Sequence, residues 1–177
     1  MQEKQLINEI IAGKCENFSQ LIKSHQKALS CYLLTNTKNK EDAEDILQET
    51  FLNAYIYLSS YNPKWKFKSW LFTIARRLLY KYYQQKEMPD FIQPQYVEIE
   101  DCFIQTNNIW STVKRIVNQQ SFDILWLFYS EEFSIKEIAC ILNCSQSRVK
   151  MCLYRSRKKL AKNTEVQSYF NELVTVV

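Results

Sequence analysis

Apolar side chains return every three or four positions along most of this 177-residue chain, the spacing that places them on one face of a helix. Leu6, Ile7, Ile10 and Ile11 predict a short first helix, ended by Gly13. Phe18, Leu21, Ile22, Leu29, Tyr32 and Leu33 predict a second. Ala43, Ile46, Leu47, Thr50, Phe51, Ala54 and Leu58 form a stripe for a third, over about 40–59. Trp70, Leu71, Ile74, Ala75, Leu78, Leu79 and Tyr82 do the same for a fourth, over about 67–86. Between these two, SSYNPKWKFKS turns at Asn62-Pro63 and then alternates lysine with aromatics.

The pattern stops at residues 87–107, EMPDFIQPQYVEIEDCFIQTN, which hold two prolines, five acids and no base. This segment reads as a flexible acidic linker. Helical spacing resumes with Ile109, Trp110, Val113, Ile116 and Val117, then with Phe122, Leu125 and Phe128. The expected fold class is all-α: two small helical domains, 1–86 and 108–162, joined by the linker 87–107 and followed by a tail at 163–177. One glycine and three prolines are too few for the tight turns of a β-sandwich or barrel.

The second domain carries the most specific local signal, SIKEIACILNCSQSRVKMCLYRSRKKLAK at 134–162. Ser134 is placed to cap a short helix bearing Ile135, Ile138, Ala139 and Leu142. Asn143 tolerates the left-handed backbone that a tight inter-helix turn demands. Ser145 is placed to cap a second helix with Val149, Cys152, Leu153 and Leu160 facing inward. This is the layout of a helix-turn-helix, a DNA-binding unit whose second helix enters the major groove. Residues 148–162 contain seven basic side chains and no acid. Gln146, Ser147, Arg148, Met151 and Arg155 are the candidate base readers; Lys150, Lys158 and Lys159 extend the basic surface, the last two with Lys162 as phosphate contacts.

Charge divides the first domain. The net charge is +4, yet Glu41, Asp42, Glu44, Asp45 and Glu49 fall within nine residues that hold no base. Helix-dipole complementarity accounts for the first three, in the opening turns, but not for Glu49. Asp45, Gln48, Glu49 and Leu52 share one helical face, a ridge of carboxylates beside apolar contacts suited to a basic protein partner. The segment from Lys64 to Lys86 is the opposite: seven bases, no acid, and interleaved aromatics. Aromatic faces stack unpaired bases while basic side chains follow the backbone, so this run suits single-stranded or melting DNA. Trp65, Lys66, Phe67, Lys68, Arg76, Arg77 and Lys81 are its candidate contacts, with Trp65 and Phe67 expected at the surface and Trp70 in the core.

Other chemistries find no footing. The six cysteines form no Cys-x-x-Cys pair and read as reduced thiols on or near apolar faces. The single histidine, His25, reads as a surface or partly buried residue. With no phosphate-cradling glycine loop and no metal spacing, no enzyme, cofactor or catalytic residue is expected. MQEKQLINEI has no signal core, and no apolar run reaches the ~18 residues of a membrane span, so a cytoplasmic protein is expected.

Taken in order, DAEDILQETFLNAY (42–55), FKSWLFTIARRLL (67–79) and FSIKEIACILNCSQSRVKMCLYRSRKKL (133–160) resemble the minimal two-domain sigma factors of bacterial RNA polymerase, the extracytoplasmic-function branch. The resemblance implies that the acidic helix docks on the β′ clamp helices of core polymerase, whose β subunit is a further contact. It implies that the next loop and helix capture and melt the minus-ten element, and that the helix-turn-helix reads the minus-thirty-five element. It allows for an anti-sigma factor as a further partner. Members often carry Asn where Arg77 stands, Asp where Lys81 stands, and an Arg pair near Gln84 and Gln85, so the minus-ten surface departs from the pattern here. The sigma branch for toxin and bacteriocin genes shares the two-domain plan. The rival reading is a stand-alone helix-turn-helix regulator on duplex operator DNA, which would need a sensing or dimerising half and gains nothing from the basic aromatic run.

Overall fold

The computed structural model of the protein describes residues 2–85, 107–163 and 166, and every described element is helical. The chain divides into two compact units, Met1–Met88 and Pro89–Val177. The expected linker lies outside the described residues apart from Asn107, and so does the tail apart from Asn163 and Val166.

The first unit holds α1 (Gln2–Ile11), α2 (Asn17–Asn36), α3 (Lys40–Ile56), a 3₁₀ turn at Leu58–Ser60, and α4 (Phe67–Gln85). Helices α2, α3 and α4 pack against one another, and α1 lies on α2. Gly13 closes α1 with φ 103°, a left-handed conformation that costs glycine nothing. Asn39 caps α3, its side chain accepting from the Asp42 N–H. The stripes predicted for α2 to α4 supply the core, with Leu29, Tyr32, Leu33, Ala54, Leu71, Ala75 and Leu79 all buried, and Phe72, outside the predicted stripe, is buried with them. Long-range hydrogen bonds then fix α4. The Tyr82 hydroxyl donates to Asp42 Oδ2 at 2.8 Å and the Tyr83 hydroxyl to the Asn36 carbonyl at 2.7 Å.

The second unit holds α5 (Asn107–Ile116), α6 (Gln119–Tyr129), α7 (Ile135–Ile141) and α8 (Gln146–Leu160). Helices α6 and α7 pack on α8, and α5 packs on α6 and α8. Its core gathers Val113, Phe122, Ile124, Leu125, Trp126, Ile138, Val149, Leu153 and Leu160. Trp110 and Trp126 meet with ring centroids 4.8 Å apart, and Phe122 borders both.

Cys15, Cys140, Cys144 and Cys152 are free. His25, read as a surface or partly buried residue, is buried, 5.6 Å from the Phe67 ring centroid.

Candidate functional site

Helix α3 sorts its acids by what surrounds them. Asp42 is tied to Tyr82 across to α4. Glu44 pairs with Lys40 at 3.6 Å, one turn away. Asp45 and Glu49 are exposed, as are Gln48 and Leu52, and neither carboxylate has an ion pair or hydrogen bond among the described residues. The face opposite is fully committed: Ala43, Ile46, Leu47, Thr50 and Ala54 are buried, and the Thr50 hydroxyl donates to the Ile46 carbonyl at 2.7 Å. The ridge also runs further than the spacing argument carried it. Leu52, Tyr55, Ile56 and Tyr57 are exposed by 58%, 42%, 56% and 57%, so an apolar surface continues past the acids to the end of the helix.

The loop before α4 is held by its own polar groups. The Tyr61 hydroxyl donates to the Trp65 carbonyl at 2.6 Å, and the Lys64 N–H to Asn62 Oδ1 at 3.0 Å. A groove of about 540 Å³ lies here, lined by Tyr61, Trp65 and Phe67, by Lys4, Lys64, Lys66 and Lys68, and by Glu3 and His25. Burial pushes His25 below its ordinary value, with Glu3 opposing and Lys68 reinforcing the shift.

Phe67, expected to be an exposed base contact, is instead fully buried. It opens α4, and its ring packs against Tyr61 at 5.4 Å and Trp70 at 5.6 Å. The alternation of lysine and aromatics set Phe67 apart from the apolar stripe, but α4 begins at Phe67 and places Phe67 and Leu71 on one buried face, one turn apart. Trp65 remains half-buried at the groove, and Lys66 is exposed. Trp70 is half-buried rather than fully in the core. On α4 itself, Arg77 and Lys81 are exposed one turn apart, whereas Arg76 is half-buried. Tyr80, 56% exposed beside them, is an aromatic that the sequence reading left out of the site.

The helix-turn-helix is built as its residues predict. Ser134 makes a capping box with Glu137 in both directions. Asn143 takes φ 50°, and the Cys144 N–H reaches back to the Ala139 carbonyl at 2.9 Å. Ser145 caps α8 through the Arg148 N–H. Buried Val149, Leu153, Ser156 and Leu160 fix which side of α8 faces in. Gln146, Ser147, Arg148, Lys150, Met151, Arg155, Lys158 and Lys159 are all exposed on the outer side. Tyr154, 63% exposed, stands among them, an aromatic that charge patterning alone does not single out.

Helix α6 braces this surface. Arg148 Nη2 donates to Gln120 Oε1 at 2.8 Å and the Cys152 thiol to Ser121 Oγ at 3.2 Å. Arg157 Nε donates to the Tyr129 hydroxyl at 2.6 Å, with the guanidinium 5.6 Å from the Phe128 and Tyr129 rings. Arg157 is thus engaged in packing, and Arg148, Arg155 and the lysines supply the outward charge.

Among the described residues no group of acids, histidines and cysteines could hold a metal, and no described helix is long and apolar enough to cross a membrane.

The chain matches two family models, "Sigma-70 region 2" over residues 21–87 and "Sigma-70, region 4" over residues 118–160. It is 31% identical over 137 residues to the ECF RNA polymerase sigma factor SigM of Bacillus subtilis, a match that spans 73% of this chain and 83% of that one. It is 26% identical over 183 residues to SigW of the same organism, spanning 92% and 96%. Among solved structures, CnrH in complex with the cytosolic domain of CnrY superposes with a TM-score of 0.69 at 21% identity, covering 92% of this chain and 96% of that one. RpoE of Bartonella quintana in complex with the anti-sigma factor NepR gives 0.67 at 19%, covering 85% and 98%. The acidic helix and the basic aromatic helix lie within the region 2 match and the helix-turn-helix within the region 4 match, and the chain belongs to the extracytoplasmic-function sigma factors, which direct RNA polymerase to promoters.

Proposed function

We propose that the two units divide the work of initiation, with α3 held by the polymerase and α4 and α8 by the promoter. The observation that carries this division is the outer face of α3. Its free carboxylates Asp45 and Glu49 border Gln48, Leu52, Tyr55 and Ile56, all exposed. A stand-alone regulator of duplex DNA has no use for an acidic, apolar ridge; a protein that must dock on a basic helical surface does. Asp45, Gln48, Glu49 and Leu52 are therefore the core-binding set, directed at the β′ clamp helices.

In this reading the N-terminal domain, 1–86, also takes the minus-ten element. Trp65, Lys66 and Lys68 at the groove, with Arg77 and Lys81 on α4, meet the melted strand, and Tyr80 offers a stacking face. Phe67 serves by shaping the groove wall and Arg76 by its half-buried seat below the surface. Arg77 and Lys81, where the family often has Asn and Asp, give this surface more positive charge and a different base preference. The C-terminal domain, 108–162, reads the minus-thirty-five element through Gln146, Ser147, Arg148, Met151 and Arg155. Lys150, Lys158 and Lys159 hold phosphates. The protein works by binding, with the chemistry left to the polymerase. An anti-sigma factor is a further partner in this reading, RpoE of Bartonella quintana having been solved in complex with the anti-sigma factor NepR.

Run-off transcription with purified bacterial core, with and without the protein, on fragments of its own genome tests the reading. Transcripts that depend on the protein are expected, with start sites that align to reveal both elements. Duplex DNA binding without core binding would replace it with the stand-alone regulator. Changing Arg155 to Ala is expected to relax one upstream base preference by ~1–3 kcal/mol. An equal loss on all sequences would make Arg155 a phosphate contact.

A further inference from the structure

We propose that Gln120 is a positioning residue for Arg148, setting the direction from which that guanidinium meets the upstream promoter element. The proposal rests on the reading of Arg148 as a base contact. Gln120 lies in the first turn of α6 and its Oε1 accepts from Arg148 Nη2 at 2.8 Å, although the two are 28 residues apart. The fold therefore aims one side chain at the other.

Three features make this bond more than a surface contact. First, arginine is rich in rotamers, and a bond to a side chain on another helix removes many of them before DNA arrives. Second, the guanidinium carries five N–H donors, so the one given to Gln120 leaves enough for a two-point contact with a guanine edge. Holding and reading do not compete. Third, the seat of α8 does not depend on Gln120. Val149, Leu153 and Leu160 are buried, Cys152 reaches Ser121, and Arg157 reaches Tyr129. Loss of Gln120 leaves the helix in place and frees only Arg148. Arg155, exposed and without a hydrogen bond among the described residues, is the internal control.

The test uses the full chain with core polymerase. The preferred upstream element is selected from a randomised duplex, and complex formation is measured on that element and on single base-pair substitutions of it. Arg148→Ala is expected to lose about tenfold or more of discrimination at one base pair. Gln120→Ala is expected to lose about three- to tenfold at that same pair, to spare the pair that Arg155 reads, and to add nothing once Arg148 is Ala. Gln120→Glu, which keeps an acceptor oxygen, is expected to retain the discrimination even where added negative charge weakens binding overall. The proposal is overturned if Gln120→Ala leaves the ratio within about twofold, weakens every sequence equally, or adds to Arg148→Ala. If Arg148→Ala itself changes no base ratio, the base-contact reading of Arg148 fails and this proposal with it. If Arg148→Ala changes one ratio and Gln120→Ala does not, positioning alone fails.

Discussion

Helices α3 and α8 begin alike and face the outside differently. Each starts at a polar cap, Asn39 or Ser145, and each commits one side to its unit's core. On α3 two of the five acids are engaged within the fold, Asp42 by a hydrogen bond from Tyr82 and Glu44 by an ion pair with Lys40; Glu41 lies in the first turn, and Asp45 and Glu49 sit beside Leu52, Tyr55 and Ile56. On α8 the outer side carries bases and no acid, with Met151 and Tyr154 as its only large exposed apolar groups. Charge sign alone would say that one helix seeks a basic partner and the other an acidic one. The apolar share says more. A protein surface contributes hydrophobic area at the centre of an interface, whereas a nucleic-acid backbone contributes mainly charge.

The sharpest way to break the contrast is to reverse α3. Asp45→Lys together with Glu49→Lys would turn the ridge basic while leaving every buried residue of α3 untouched. Core-polymerase affinity is expected to fall by at least about 100-fold, with the far-ultraviolet dichroism unchanged, because two steering charges become repulsive. Unchanged affinity in a pull-down would remove α3 from the polymerase interface.

A comparison of buried basic groups separates the two units by pH. Lys114 on α5 is 4% exposed, its Nζ 5.4 Å from the Phe122 ring centroid. Burial pushes its pKa down from 10.5 to about 8, with Asp123 pulling the other way. The unfolded chain holds that proton more tightly, so the second unit gains stability as pH rises from about 8 to 10.5, by about 3 kcal/mol at most. His25 in the first unit is held below its ordinary 6.5, mainly by burial, so that unit loses stability as pH falls below that value. Amide exchange in α6 should therefore slow between pH 8 and 10.5 once intrinsic rates are divided out, and exchange in α2 should quicken below 6.5. A Lys114→Met chain that keeps the alkaline gain would refute the assignment to Lys114.

Much of this was legible in the sequence, and the exceptions share a cause. The 3.6-residue stripes gave the helices, and Ser134, Asn143 and Ser145 gave the turn because caps and left-handed residues act locally. The ridge at Asp45, Gln48, Glu49 and Leu52 followed from spacing on one helix. What stayed hidden depends on contacts between distant segments. Nothing near Asp42 shows that Tyr82 will occupy it, and nothing near Arg148 points to Gln120. Phe67 read as exposed because it precedes the apolar stripe of the fourth helix, yet the fold closes the core over it. Ile11 erred the other way, counted in the first stripe yet 53% exposed, while Tyr55, Ile56 and Tyr154 belonged to no stripe and to no candidate site.

A smaller effect tests whether α8 meets phosphates. Lys158 and Lys159 are exposed near the end of α8, while Arg155 lies one turn earlier. Removing both lysines should weaken binding roughly tenfold on every promoter and reduce the slope of log K against log salt by about 2. Base preference should stay as it was. A change in preference at one position would move one of these lysines into the reading set.

The smallest effects come from the caps, and they show whether the two helices depend equally on their starts. Asn39→Ala removes an acceptor for the Asp42 N–H, and Ser145→Ala one for the Arg148 N–H, at 2.8 and 3.2 Å. Each should cost about 1 kcal/mol of stability. Their functional consequences should differ. Asn39 lies six residues before Asp45, and α3 is further anchored by the Asp42–Tyr82 bond, so docking should survive its loss. Ser145 lies directly before Gln146, Ser147 and Arg148, so fraying there disorders the residues assigned to the upstream element. Ser145→Ala should thus lose upstream discrimination beyond its effect on melting temperature, while Asn39→Ala should lose stability alone. Equal functional losses would mean that α3 docks through its first turn, shifting the polymerase contact from Asp45 and Glu49 toward Glu41.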